Sequence, residues 1–196
     1  MKTHINTILF GGTFDPIHSG HIGMVESLLK KVNIQKMIII PNKQSPHKQS
    51  PIASIKERLE LLEIALNYFP LSNQVNYEIS KIELKRQCPS YMYDTVNILQ
   101  SNLTNLPVGL LIGGDSFLSF HKWYKYQLLA KNIKFLVVPR GNVNMDEYYY
   151  YQLKHQLNCI FLSSTLKISA SEIRKYKKKS GIKEVDLYIK KNRVYK

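Results

Sequence analysis

Gly11-Gly12-Thr13-Phe14-Asp15-Pro16-Ile17-His18-Ser19-Gly20-His21 decides how this 196-residue chain folds. Just upstream, Ile5-Asn6-Thr7-Ile8-Leu9-Phe10 is short, mostly apolar and β-branched, the composition of a buried parallel strand. Downstream, Met24, Val25, Leu28, Leu29 and Val32 recur at helical spacing, with Ser19 as the expected N-cap. The eleven residues therefore join a strand to a helix. Gly11 and Gly12 remove two side chains, so backbone N–H groups there can approach an anion, and Pro16 forbids a simple continuation of the strand. His18 and His21, at i and i+3, stack on one side of the first helical turn. His21 continues the row of Val25, Leu28 and Val32 towards the sheet, so both imidazoles are expected over the strand's carboxyl edge. Open α/β sheets bind ligands there, and the positive end of the helix favours negative charge. A Gly-Gly pair alone suits an ordinary tight turn, and a lone histidine at a helix start suits a cap. Two histidines, two glycines, Asp15 and Pro16 in one junction point instead to a cradle for nucleotide phosphates.

The remainder alternates strands and helices. Strands are expected at Lys36–Ile40, Val75–Ile79, Val108–Ile112, Phe135–Val138 and Cys159–Leu162. Helices are expected at Ser54–Tyr68 (Ile55, Leu59, Leu62 and Leu66 inward), Tyr91–Asn102, Ser169–Lys178 and Val185–Lys191, with a broken helical stretch over Phe117–Ala130. Short buried strands separated by helices imply an α/β fold: a Rossmann-like, doubly wound parallel sheet with helices on both faces. One domain over residues 1–196 is expected, its residues from about 169 onward forming a small C-terminal helical extension. The tyrosine run Tyr148–Tyr151 suits a helix with mixed faces.

Composition narrows the function classes. No apolar run approaches a membrane span, and Met1-Lys2-Thr3-His4-Ile5 enters a strand almost at once, leaving no room for a signal peptide. Cys88 and Cys159 form no C-x-x-C pair, so neither a disulfide framework nor a cysteine zinc site is indicated. A soluble cytoplasmic protein is the expectation. The formal charge is +14, and Arg174–Lys196 supplies +8 of it, ten Lys/Arg against Glu184 and Asp186. No basic helix or aromatic platform of a nucleic-acid motif accompanies that excess, so a solvated surface is expected rather than a nucleic-acid footprint. The sequence leaves oligomerisation open.

Three further segments can carry chemistry. Pro41–Lys48 follows a strand, and Lys43, His47 and Lys48 can meet phosphates as charge-assisted donors or simply be wet loop residues. Gly113-Gly114-Asp115 ends another strand in glycines; Asp115 suits a ribose hydroxyl or a helix cap, and Trp123 suits core filling as well as stacking. Ile168-Ser169-Ala170-Ser171-Glu172-Ile173-Arg174 contains a capping box, Ser169 to Glu172, and Arg174 offers a fixed fork of donors. Neither a P-loop, nor G-x-G-x-x-G, nor H-E-x-x-H occurs.

These residues carry a likeness. Gly11–His21 resembles the G-[TS]-F-[DN]-P-x-H-x-G-H signature of the nucleotidylyltransferase superfamily, and Ile168–Arg174 resembles its I-S-[ST]-[ST]-x-I-R element. Within the superfamily the chain is most similar to bacterial nicotinate-nucleotide adenylyltransferases, through Pro41–Lys48, Pro89–Thr95, Ile112–Asp115 with Trp123, Val137–Arg140 and the ending Val185…Tyr195. Met92 stands where that family has threonine, and Ala170 where it has a hydroxyl residue. The resemblance implies adenylyl transfer from ATP to nicotinate mononucleotide, giving deamido-NAD and pyrophosphate with Mg²⁺ and no covalent intermediate. It implies that Gly11, Gly12, Thr13, Phe14, Gly113 and Asp115 line the ATP site and that His18, His21, Ser169 and Arg174 hold its phosphates. His18, His21, Lys48 and Arg174 would be catalytic, with Lys48, Tyr91, Thr95 and Trp123 at the mononucleotide; the metal's ligands stay unassigned.

Overall fold

The computed structural model describes residues 2–46, 49–69, 75–87, 89–100, 108–139, 144–163 and 168–195. Among these, strands β1 (Thr3–Gly12), β2 (Val32–Pro41), β3 (Asn76–Ile79), β4 (Val108–Gly113), β5 (Ile133–Val138) and β6 (Cys159–Phe161) form one parallel sheet ordered β3-β2-β1-β4-β5-β6. The chain builds outward from β1 to β3 and then returns to place β4 on the other side of β1. The strand order therefore reverses between β1 and β4, and the crevice at their carboxyl ends is where doubly wound sheets take ligands.

Both faces of the sheet are covered, and the strand residues alternate between two cores. Ile8, Phe10, Met37, Ile39, Leu136 and Val138 pack with α1 (Ser19–Lys31), α2 (Ile55–Tyr68) and α9 (Lys183–Asn192) through Val25, Leu28, Leu62, Ala65 and Val185. Leu9, Ile38, Ile40, Phe135 and Val137 face the opposite way, against α4 (Met92–Gln100), α5 (Gly114–Leu118), α6 (Tyr126–Asn132) and α7 (Met145–Lys154) through Val96, Phe117, Leu129 and Tyr148. Consecutive residues pointing into separate cores is why these strands read as unbroken apolar runs. The helical set is completed by α3 (Ile82–Lys85) and α8 (Ala170–Tyr176).

The tyrosine run resolves into two faces of α7. Tyr148 and Tyr151 are buried, whereas Tyr149 and Tyr150 are half or more exposed. Tyr148 also accounts for Gly114, because a β-carbon there would collide with the Tyr148 hydroxyl. The C-terminal helices are seated on the domain: Tyr188 of α9 donates to Glu60 of α2, and the Ser19 amide donates to the Ser180 carbonyl at 2.9 Å. Among the described residues, no helix is long and apolar enough to cross a membrane.

Candidate active site

The junction differs from expectation in where it bends. β1 does not end at Phe10 but continues through Gly11 and Gly12, which pair with Ile40 and Pro41 of β2. Both glycines serve close packing. A β-carbon on Gly11 would stand 2.6 Å from the Met92 methyl, and one on Gly12 would stand 2.7 Å from the Phe14 ring. The turn falls one step later, where Phe14 takes the left-handed conformation at φ 49°, a strained choice for a bulky residue. Its ring is buried, edge-on to Phe10 at 5.4 Å and to His21 at 5.1 Å. Phe14 is therefore a core ring packed against His21.

His18, not Ser19, is the N-cap of α1; Ser19 is the first helical residue and is itself buried. The His18 amide donates to His21 Nδ1 at 3.3 Å. An accepting Nδ1 leaves the proton of the neutral His21 ring on Nε2, where it is a donor. The two rings stack with centroids 3.8 Å apart and planes 31° apart. They are not equivalent: His18 is 1% exposed, and His21 is only partly covered. The spacing residue must be glycine, since a β-carbon on Gly20 would lie 2.9 Å from His18 Nδ1 and 3.2 Å from the Ile168 carbonyl. That second distance brings the start of the second motif against the first turn of α1.

Asp15 joins the segments together. Its carboxylate is buried and accepts from the amides of Ile52 and Ala53, each at 3.0 Å, and from the Tyr195 hydroxyl at 2.8 Å. Arg174 lies 3.6 Å from the same carboxylate and also donates to the Asp15 carbonyl. The two sequence motifs are thus in direct contact across 159 residues. Ser169 caps α8 as expected, accepting from the Glu172 amide at 3.2 Å and donating to the Glu172 carboxylate at 3.1 Å.

Sequence reasoning missed Arg58. It is 2% exposed, and its guanidinium donates to the carbonyls of Thr13 at 2.7 Å and Asn42 at 2.8 Å. Burial lowers its pKa, and the nearby Asp15 charge opposes that effect. One signal lay in the helical row 58, 61, 62, 65, 66, which the structure buries and in which Arg58 is the only polar member. Leu59, expected inward, is only partly covered, because the buried stripe runs one residue earlier.

Across the crevice, Gly113 is the N-cap of α5 and Asp115 is exposed in its first turn. The loop after β2 is tied in by the Asn42 amide on the Gly12 carbonyl at 2.9 Å and by the Ser90 amide on the Gln44 carbonyl at 3.0 Å. Lys48, His47, Cys88 and Arg140 lie outside the described residues. Near the start of α4, the Tyr91 ring sits 4.7 Å from Tyr124, and the Lys125 ammonium lies over Tyr93 and Tyr124. Trp123 is partly buried, with its ring 5.3 Å from Phe120. Thr95, expected near the mononucleotide, is fully buried, and its hydroxyl donates to Glu83 at 2.7 Å beneath the start of α4.

Among the described residues, no group of three or more His, Cys, Asp or Glu could hold a metal ion. What the arrangement offers is a donor set: stacked imidazoles, an anchored guanidinium and the carboxyl edge of β1 and β4. Such a set neutralises and orients phosphate oxygens without needing to move protons.

The cytidylyltransferase-like family matches residues 9–176. A Dictyoglomus turgidum protein named "Probable nicotinate-nucleotide adenylyltransferase" is 37% identical, covering 95% of this chain and 94% of its own length. A Serratia proteamaculans protein of the same name is 35% identical, covering 85% and 81%. In fold, the chain resembles a Plasmodium falciparum nicotinic acid mononucleotide adenylyltransferase complexed with NaAD, at TM-score 0.75, 20% identity and 98% coverage of both chains. This chain accordingly belongs to the cytidylyltransferase-like nucleotidyltransferases, in the group of nicotinate-nucleotide adenylyltransferases.

Proposed function

We propose that the protein transfers the adenylyl group of ATP to nicotinate mononucleotide, forming deamido-NAD and pyrophosphate. The observation that carries this reading is the stacked His18–His21 pair at the start of α1, with Arg174 bonded to Asp15 in the same junction. In the proposed step, a phosphate oxygen of the mononucleotide forms a bond to the α-phosphorus of ATP. The bond from that phosphorus to the bridging oxygen breaks in line, and pyrophosphate leaves with its electrons. No covalent enzyme intermediate is needed.

His21 Nε2–H donates to the phosphate chain, and His18 holds the His21 ring in place through its amide and its stacked face. Arg174 neutralises charge that grows on the departing oxygens, with Ser169 at the same helix start. Gly11, Gly12, Thr13 and Gly113 contribute main chain to the ATP site, and Asp115 lies at the ribose. Lys48 bridges the two substrates, and Tyr91 and Trp123 receive the pyridine. A magnesium ion carried in by ATP would neutralise further triphosphate charge; His21 and Arg174 complement it from the protein side. Positioning and electrostatics supply most of the acceleration in such a reaction.

Pyrophosphate release, measured with ATP and with nicotinate or nicotinamide mononucleotide in parallel, tests the reading. Release with nicotinate mononucleotide is expected. Release with neither pyridine nucleotide overturns it.

A further inference from the structure

We infer that Tyr195 is a positioning residue for Arg174, acting through the Asp15 carboxylate, an inference that rests on the adenylyl-transfer reading above. Asp15 is 3% exposed, and its two oxygens are divided between three segments of chain. Oδ1 accepts from the Ala53 amide and the Tyr195 hydroxyl, at 3.0 and 2.8 Å. Oδ2 accepts from the Ile52 amide at 3.0 Å and lies 3.6 Å from the Arg174 guanidinium. A buried carboxylate with this donor set cannot turn without losing a charge-assisted bond. The orientation of Oδ2, and with it the seat of Arg174, depends on what holds Oδ1.

Tyr195 is delivered to that oxygen by α9. Val185, 0% exposed, fixes the helix in the core, and Tyr188 pins it to Glu60 of α2. Arg193 then takes the left-handed conformation at φ 53°, and the Val194 amide returns to the Ile189 carbonyl at 3.2 Å. This turn brings the Tyr195 ring down beside the glycine-rich junction. Burial foremost, and then the Asp15 charge, push the phenol far above its usual range, so it stays a proton donor at every working pH. Arg174 is 26% exposed on its side chain, enough to reach a ligand while its inner face remains on Asp15. In this arrangement α9 sets ATP affinity without touching ATP.

Tyr195→Phe keeps the ring and removes only the hydroxyl. The test measures ATP affinity by calorimetry and turnover by pyrophosphate release, in four proteins: wild type, Tyr195→Phe, Arg174→Ala and the double variant. Tyr195→Phe is expected to weaken ATP about tenfold, the scale of one hydrogen bond to a charged group, and to raise KM for ATP more than it lowers kcat. In the Arg174→Ala background it is expected to add almost nothing, because the two residues act on one element. A merely structural tyrosine gives instead a loss of equal size in both backgrounds, and that result overturns the inference, as does unchanged ATP affinity. If Tyr195→Phe fails to fold, Asp15→Asn replaces it in the same cycle with the same expected non-additivity. A wild type that binds ATP without releasing pyrophosphate sinks the adenylyl-transfer reading, and the affinities alone then decide the role of Tyr195.

Discussion

His18 and His21 stack with centroids 3.8 Å apart, yet His18 is 1% exposed and His21 is only partly covered. The pair is layered. The His21 Nδ1 accepts the His18 amide, which leaves Nε2 as the donor of a neutral ring, and the buried His18 ring backs the stack. The two substitutions should therefore differ in kind. His21→Ala is expected to lower kcat by roughly a hundredfold, the cost of one preorganised oxyanion donor, with little change in Tm. His18→Ala is expected to lower kcat by a similar factor and also to destabilise the fold by roughly 2 kcal/mol, since it empties a buried site. Steady-state kinetics beside thermal unfolding separates the two, and wild-type turnover in either variant removes that histidine from the mechanism.

Trp123 directly precedes Tyr124, whose ring meets Tyr91 and Tyr93, and packs on Phe120 at 5.3 Å. Stacking on a planar ring is uniform binding, equal in the ground and transition states. Trp123→Ala is accordingly expected to raise KM for the pyridine mononucleotide by about tenfold or more, on the scale of one lost aromatic stack, while KM for ATP changes less. Equal effects on both substrates argue against a place for Trp123 at the pyridine.

Arg58 holds the backbone of the junction from within the protein. Its guanidinium satisfies the Thr13 and Asn42 carbonyls, on the two loops that follow β1 and β2. Arg58→Ala leaves both carbonyls without this donor, at a cost of about 3 kcal/mol in unfolding free energy. Arg58→Lys keeps the charge but not the fork, so it should recover only part of that loss. Chemical denaturation provides the measurement, and Arg58→Ala with wild-type stability would falsify the assignment.

Much of the architecture was legible because its signals are local. Ile8–Phe10 and Met37–Ile40 are apolar on both faces, which identifies central parallel strands, and Ser54 and Ser169 mark helix starts as N-caps. The errors came where tertiary contacts override a local rule. Gly11 and Gly12 look like a bend but pair with Ile40 and Pro41 as strand residues, and they are glycine because Met92 and Phe14 occupy the space that side chains would need. No pattern announces that Glu83 draws the Thr95 hydroxyl inward. Arg58, Asp15 and Tyr195 meet only after three distant segments fold together, so their association has no periodicity to read.

Glu83 supplies the pH prediction. Its carboxyl is 3% exposed, and burial, opposed by the Thr95 hydroxyl and the Arg86 charge, raises its pKa above the ordinary glutamate value. A group whose folded pKa is raised binds its proton more tightly in the native state than in the unfolded chain. Its contribution to stability is therefore full below the unfolded glutamate pKa and is lost as pH rises through the higher folded value. Glu83→Gln removes the ionisation and keeps an amide oxygen for Thr95. Relative to wild type, the variant should show no Tm advantage near pH 4 and a growing one towards pH 8. A Tm difference that stays constant across that range, or that shrinks with rising pH, refutes the assignment of Glu83 as a carboxyl held against ionisation.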